Sequence, residues 1–253
     1  MSTHQAVQNE TCKDIQLNGF AKLSTNKLAG LIGINPASFI DKWKKLHTSW
    51  NNLCKDNHLK DGGMYRLRRH SCFIQNLNES ALTLTAHRAH WQPTEFNALH
   101  GGYDRMFEPI EQDITHDQSF LDLITELGKC FATIHPTEKW FIEAHQFRIN
   151  TNGGIGRPTP EGAHRDGVDY VVVMMLGRHH VKGGETRVFR ADGPTGVRFV
   201  MDEPFSAILL DDEKVIHETT PIQPESEHFT DCYRDTLVLT FRAGGFQSPQ
   251  NNM

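Results

Sequence analysis

The stretch Gly162-Ala163-His164-Arg165-Asp166-Gly167-Val168-Asp169-Tyr170-Val171-Val172-Val173-Met174 decides how this chain is read. A turn-forming segment, Pro158-Thr159-Pro160-Glu161, leads into it, and a β-branched apolar run leaves it. In a strand, residues i and i+2 point to the same face. His164 and Asp166 therefore aim one imidazole and one carboxylate at a common point. With 15 histidines and 31 acidic residues, about two such His-x-acid pairs are expected by chance, and the chain holds one. The pair alone decides nothing, so other segments must complete the site.

Two segments beyond it do so. His217, in Val215-Ile216-His217-Glu218-Thr219-Thr220-Pro221-Ile222, follows the apolar Ile208-Leu209-Leu210. Two imidazoles and one carboxylate on one face of an octahedron form the facial triad of non-haem Fe(II) oxygenases, which leaves the opposite positions open. Further on, Arg234-Asp235-Thr236-Leu237-Val238-Leu239-Thr240-Phe241 reads as a strand. Arg234 and Thr236 share one face of it. A planar guanidinium grips a carboxylate with two parallel hydrogen bonds, and a hydroxyl two residues on adds a third. That suits the far carboxylate of a dicarboxylic keto acid.

Towards the N-terminus the character is helical. Residues 1–18 are polar and aperiodic and are expected to form a loose tail. A short strand and a helical turn are expected around Gly19-Phe20-Ala21-Lys22-Leu23. Asn35 fits an N-cap and Pro36 the first helical position. Phe39, Ile40, Trp43, Leu46, His47, Trp50 and Leu53 then recur at helical spacing. A second amphipathic helix is predicted over Ser119 to Ile134, closed by His135-Pro136. Between the helices, Met64 to Ile74 reads as a strand. Its Arg66, Arg68 and Arg69 fit either a solvated or ion-paired face or an anion contact near a binding site. Trp91 to Phe107 is loop-like and either covers a site mouth or packs on the surface.

From Trp140 onward, short β-type segments alternate with turn signals: Trp140 to Ile149, Tyr170 to Leu176, Glu185 to Phe189, Val197 to Met201, Ala207 to Leu210 and Leu237 to Phe241. Helices in front and strands behind give an α+β class in which helices buttress a β-sandwich or barrel. One domain is expected over residues 1–253: the tail, a helical support with outer strands over 19–139, and a catalytic β-core over 140–245.

Composition narrows the function. A net charge of −5 and a pI near 6.3 give no electrostatic footprint for nucleic acid or an anionic membrane. No apolar run is long enough for a membrane span. Met1 to Glu10 lacks the apolar stretch of a signal peptide. The five cysteines form no Cys-x-x-Cys, which points to a reducing, cytoplasmic setting and away from a disulfide framework or zinc-thiolate site. His164-Arg165-Asp166 also occurs in kinase catalytic loops, but those need Asn five residues after the Asp, and position 171 is Val.

The pattern His164-x-Asp166, His217, Arg234-x-Thr236 resembles that of Fe(II)/2-oxoglutarate-dependent dioxygenases. More narrowly, Gly162 to Asp169, His217-Glu218-Thr219-Thr220-Pro221-Ile222 and Tyr233-Arg234-Asp235 resemble the bacterial free amino-acid hydroxylases of the L-isoleucine dioxygenase type. The resemblance runs from about Tyr65 to Phe241. It implies a double-stranded β-helix, the jelly-roll or cupin-like barrel, with flanking helices. It implies Fe(II) on His164, Asp166 and His217, and 2-oxoglutarate on Arg234 and Thr236. It also implies O2 as oxidant, with ascorbate as reductant. Gln146 and Arg148, one face of the strand before the motif, are candidates for the keto acid and the substrate respectively, or equally for cross-strand polar pairing. The implied activity is hydroxylation of an aliphatic side chain of a free L-amino acid, isoleucine- or leucine-like, coupled to succinate and CO2 release. An oxygenase acting on a peptide, protein or other metabolite, or a non-enzymatic metal-binding module on the same barrel, are the alternatives.

Overall fold

The computed structural model describes residues 2–151 and 154–249. In chain order the helices are α1 (Thr3–Asn18), α2 (Thr25–Ile32), α3 (Pro36–His47), α4 (Gln112–Thr115) and α5 (Gln118–Ile134). The first strands are β1 (Phe20–Leu23), β2 (Cys54–Lys55), β3 (Arg66–Asn76), β4 (Ala81–Leu84) and β5 (Lys139–Asn150). The motif region adds β6 (Tyr170–His179), β7 (Val181–Gly183), β8 (Glu185–Arg190), β9 (Gly196–Val200) and β10 (Ala207–Asp211). The chain closes with β11 (Val215–Thr219), β12 (Ile222–Pro224) and β13 (Tyr233–Arg242).

The major sheet runs β1-β10-β6-β13-β5-β3-β2, with β4 on β3, and all its pairs are antiparallel. Facing it are the short ladders β11-β8-β9 and β12-β7, to which bridges at Gly156↔Ile222 and His164↔His217 add the segment before β6. This is a double-stranded β-helix. Period-two alternation separates its faces. On β13, Leu237, Leu239 and Phe241 turn outward into a core shared with Phe39, Trp43, Phe120, Leu123, Leu127 and Phe131 of α3 and α5. Arg234, Thr236, Val238, Thr240 and Arg242 turn inward. A second cluster, Val171, Met175, Val188, Ile208, Leu210 and Val215, fills the barrel interior at one end. The other end stays open, and that opening is the site.

The α3 signals hold: the Asn35 side chain accepts from the Ala37 and Ser38 N–H groups, and Pro36 opens the helix. The expected loose tail does not. Residues 3–18 form α1, capped by the Ser2 hydroxyl and stopped by Gly19 at φ +80°. Its buried residues are Gln8, Thr11, Cys12 and Ile15, and Cys12 and Ile15 join the helical core. A stripe half made of polar and small side chains carries little hydrophobic periodicity, so the docked surface, not the helix itself, holds it in place. No helix among the described residues is long and apolar enough to cross a membrane.

Candidate active site

Strand register sets the inner wall in rows. Arg234 of β13, Ile149 of β5 and Arg66 of β3 lie level. The next row is Thr236, Phe147 and Arg68, and the one after it Val238, His145 and His70. All but His70 line one pocket together with His164, Asp166 and His217.

The three motif side chains converge. His164 and His217 are paired directly across an antiparallel bridge, with both N–H···O bonds at 3.0 Å and ring centroids 4.7 Å apart. Nε2 of His164 lies 3.7 Å from one Asp166 carboxylate oxygen, and Nε2 of His217 lies 3.6 Å from the other. The His164 Nδ1–H donates to the Gly162 carbonyl at 2.9 Å, which leaves its Nε2 lone pair for the common point. The turn carrying Asp166 is held by Asp212. Its carboxylate accepts the backbone N–H of Asp166, Gly167 and Val168 at 3.0, 2.7 and 3.2 Å. Burial, with Asp166 nearby, pushes Asp212 up to about 7 against those three donors. Gln92 Nε2 donates to Asp166 Oδ1 at 3.2 Å, and Gln247 Nε2 to the Gly167 carbonyl at 2.7 Å. Gly167 needs its φ of +76° to bring three successive N–H groups onto one carboxylate.

Charges in this group are set by burial and by one another. Burial pushes His217 down to about 4. Burial also pulls His164 down, but the Asp166 carboxylate beside it wins and holds the imidazole up to about 10. The same pair seen from Asp166 places its carboxyl well below the usual range, against burial. A cation at the common point would take over the role of that proton.

Arg234 is 3% exposed, and its Nε and Nη2 have no partner among the described residues. Burial first, then Arg178, push its guanidinium down to about 9. An unpaired buried guanidinium calls for an anion, and Thr236, also buried, lines the same wall. On the back of this strand Asp235 accepts from Arg148 Nε and Nη2 at 2.8 and 2.7 Å and sits 2.8 Å from His47 Nε2. The Trp50 indole donates to Phe147 O and Thr236 O at 3.1 and 3.3 Å, beside the bulge at Asp235/Thr236. These contacts fix the strand that presents Arg234.

Gln146 and Arg148 are therefore not pocket residues, and their expected roles are corrected. Gln146 Nε2 donates to Ser49 Oγ at 3.0 Å, and Arg148 is spent on Asp235. They share the face of Ile142 and Ala144, which packs on the helices. The phase of β5 is opposite to the one expected, and Glu143, His145, Phe147 and Ile149 face in. Polarity misled because the helix-side face turns polar where Ser49 and Asp235 receive it.

The arginine cluster of β3 divides by the same alternation. Arg69 points out to the carbonyls of Asn52 and Pro109. Arg66 and Arg68 point in and line the pocket. The segment from Trp91 to Phe107 is a fixed wall, tied by the His90↔Arg105 bridge, and adds Gln92, Asn97 and Arg105. Glu161, beside the motif, has one carboxylate oxygen buried without a partner. Asp212, Gln92, Arg105 and Glu161 were not singled out from the sequence. Asp212 stands in an Asp-Asp turn that offered a signal; loop residues such as Gln92 and Arg105 offered none.

A second set of metal-ligand side chains, His70, His90, Glu143 and His145, lies on the β3–β5 side of the pocket, all but His70 lining it, its ligand atoms within 4.8 Å of one another. Glu143 Oε2 accepts from His90 Nδ1–H and from His70 Nε2 at 3.2 Å and lies 3.6 Å from His145 Nε2, while Arg88 reaches its other oxygen at 3.4 Å. Arg68 Nη2 donates to His145 Nδ1 at 2.8 Å. Burial keeps His90 at about 4 and His145 well below its usual value. Burial opposes ionisation of Glu143, but its ring of donors holds it well below the carboxylate range.

The family model described as 2OG-Fe dioxygenase matches residues 47–240. Among solved structures, a BsmA homologue from Methylobium petroleophilum PM1 is 50% identical, covers 96% of this chain and 95% of its own, and has a TM-score of 0.90. IDO from Bacillus thuringiensis superposes with a TM-score of 0.74 at 19% identity, over 93% of this chain and 99% of its own. The Fe(II)/α-ketoglutarate-dependent dioxygenase TqaL does so at 0.68 and 18% identity, over 96% and 90%. These last two show the fold. No curated protein sequence matched. Iron and 2-oxoglutarate fit the residues present: three ligand side chains around one point, and a buried guanidinium with unfilled N–H groups in the same cavity. The chain belongs to the 2OG-Fe dioxygenase family, and it is an oxidoreductase.

Proposed function

We propose that the enzyme hydroxylates an aliphatic carbon of a free L-amino acid, with iron on His164, Asp166 and His217 and 2-oxoglutarate on Arg234 and Thr236. The observation that carries this is the orphaned guanidinium of Arg234 in the same pocket as the three ligand side chains. The chemistry that iron supplies when bound is oxidative: O2 is split, 2-oxoglutarate leaves as succinate and CO2, and the second oxygen atom ends as the substrate hydroxyl. Ascorbate serves as reductant. The free thiols fit a cytoplasmic setting.

The chain's own part is placement and exclusion of water. Gly162 fixes the tautomer of His164, and Asp212 with Gln92 fixes Asp166. Val168, Val173 and Val238 give the pocket a dry side for an aliphatic C–H bond. The fixed segment 91–107 forms its wall, which favours a small substrate over a folded protein.

The test is a screen of free amino acids with Fe(II), ascorbate and 2-oxoglutarate, read by mass for a gain of one oxygen and by succinate. A product in step with succinate is expected. Succinate with no product among amino acids would move the substrate to peptides or other metabolites. Arg234→Ala is expected to weaken 2-oxoglutarate by about 2–5 kcal/mol, at least about thirtyfold in KM.

A further inference from the structure

Three guanidinium groups besides Arg234 line the pocket from β3 and the 91–107 wall. Arg66, Arg68 and Arg105 are 6%, 4% and 2% exposed. Each has a buried nitrogen with no partner: Arg66 Nη2, Arg68 Nε and Arg105 Nε. One carboxylate serves two of them. Asp56 takes Arg66 Nε at 2.7 Å and lies 3.8 Å from Arg68 Nη1. Among the described residues the side chain of Arg105 has a neutral acceptor, the Gln92 side-chain oxygen at 2.8 Å, and no carboxylate in hydrogen-bond range. Glu143 also lines the pocket, but its charge is taken up by Arg88, 3.4 Å from its other oxygen, so it is not counted with this wall.

A buried cation without a counter-charge is costly unless a ligand completes it. The wall is also preformed. Arg68 is clamped between Phe107 and Phe147, 3.7 and 4.5 Å from their ring centroids. Arg66 is level with Arg234 but two strands away, roughly 10 Å at the usual strand spacing, so the two serve separate anions.

Glu161 is the opposite member. It lines the same pocket, 3.7 Å from His164 Nε2, with its Oε2 buried and unpartnered. In formal charge this side of the pocket offers two uncompensated positives, three arginines less Asp56, and one negative, Glu161; Arg242, which also lines the pocket from β13, is half-buried and donates to the Gly245 carbonyl at 2.7 Å. The complement is a molecule with two carboxylates and one ammonium.

We infer that the prime substrate is an acidic amino acid, its carboxylates on Arg66, Arg68 and Arg105 and its ammonium on Glu161. This rests on the free-amino-acid reading but departs from the isoleucine- or leucine-like substrate that the sequence resemblance implies. A neutral aliphatic amino acid would leave one buried guanidinium charge unanswered.

The test is calorimetric, on anaerobic protein loaded with Mn(II) and saturated with 2-oxoglutarate. The probes are L-glutamate, L-glutamine and L-isoleucine; glutamine keeps the shape of glutamate and removes the charge. L-Glutamate is expected to bind at least about tenfold more tightly than either. Arg105→Met and Arg68→Met are each expected to lose at least about tenfold for L-glutamate and less than about threefold for 2-oxoglutarate, which reports that the barrel is intact. Equal binding of glutamine or isoleucine, or no binding of glutamate, overturns the inference. So does unchanged glutamate affinity in variants that still bind 2-oxoglutarate. Should a variant lose 2-oxoglutarate as well, the wild-type comparison of glutamate with glutamine decides alone. If isoleucine gains oxygen and glutamate does not bind, the inference fails and the amino-acid reading stands. If glutamate binds with this charge preference but no amino acid gains oxygen, the amino-acid reading fails while the anion-binding wall stands.

Discussion

Two clusters in this barrel hold metal-ligand side chains close together, and they are built for different ends. His164, Asp166 and His217 turn two Nε2 atoms and a carboxylate towards one point, and no arginine or lysine pairs with Asp166 among the described residues. His70, His90, Glu143 and His145 turn N–H groups onto a single carboxylate, with Arg88 on Glu143 and Arg68 on His145. The first has the make-up of a metal-ligand set. The second is a strut centred on Glu143 that joins β3, β5 and the 91–107 wall. Proximity of ligand residues does not make a metal site. Unshared lone pairs and the sign of the neighbouring charges decide it.

The largest test of that contrast is metal stoichiometry. Wild type is expected to load one Fe(II) or Mn(II) per chain by elemental analysis. His217→Ala should load none and form succinate only at background, while Glu143→Gln keeps its metal. Two ions per chain in wild type would break the comparison. Next, Glu143→Ala removes the centre of the strut and leaves buried imidazole N–H groups and Arg88 without their acceptor. A stability loss of about 3–5 kcal/mol in urea unfolding is expected, with metal content unchanged in the folded protein. A smaller effect is expected from Asp212→Ala, which frees the turn carrying Asp166. Metal affinity should fall about 10–100-fold while 2-oxoglutarate is still gripped by Arg234.

The smallest effect is a slope with pH. In the metal-free protein Asp166 holds His164 up to about 10, so at neutral pH metal binding must expel a proton. Affinity should then rise with pH, by about tenfold per unit below that value. Competition with a chromophoric chelator between pH 6 and 8 would measure it. A flat profile would show that the imidazole is already free of its proton.

How much was legible in the chain varies by segment. The Pro36 helix and the α5 helix carried their stripes and caps openly. His164 and Asp166 were picked out by strand alternation, but they precede β6: a single bridge to His217 and a turn held by Asp212 bring them together. Gln146 and Arg148 failed because alternation gives two faces but not which of them is inside. Docking of the helices chose, and the polar end of the helix-side face found Ser49 and Asp235. The arginines of β3 posed the same question. Phase alone separated Arg69 from Arg66 and Arg68.

The sequence by itself determined the α+β class and brought out His164, Asp166, His217 and Arg234 as the candidates for iron and 2-oxoglutarate. These are local matters, set by spacing, turn residues and side-chain type. Only the tertiary structure decided that residues 3–18 dock as a helix, and that Glu143 and His145 face the interior. It alone brought Arg105 and Glu161, distant in the chain, to one cavity with Arg66 and Arg68. Which charges are left unpaired depends on every neighbour at once. Burial makes those unpaired charges count, and burial exists only in the folded barrel.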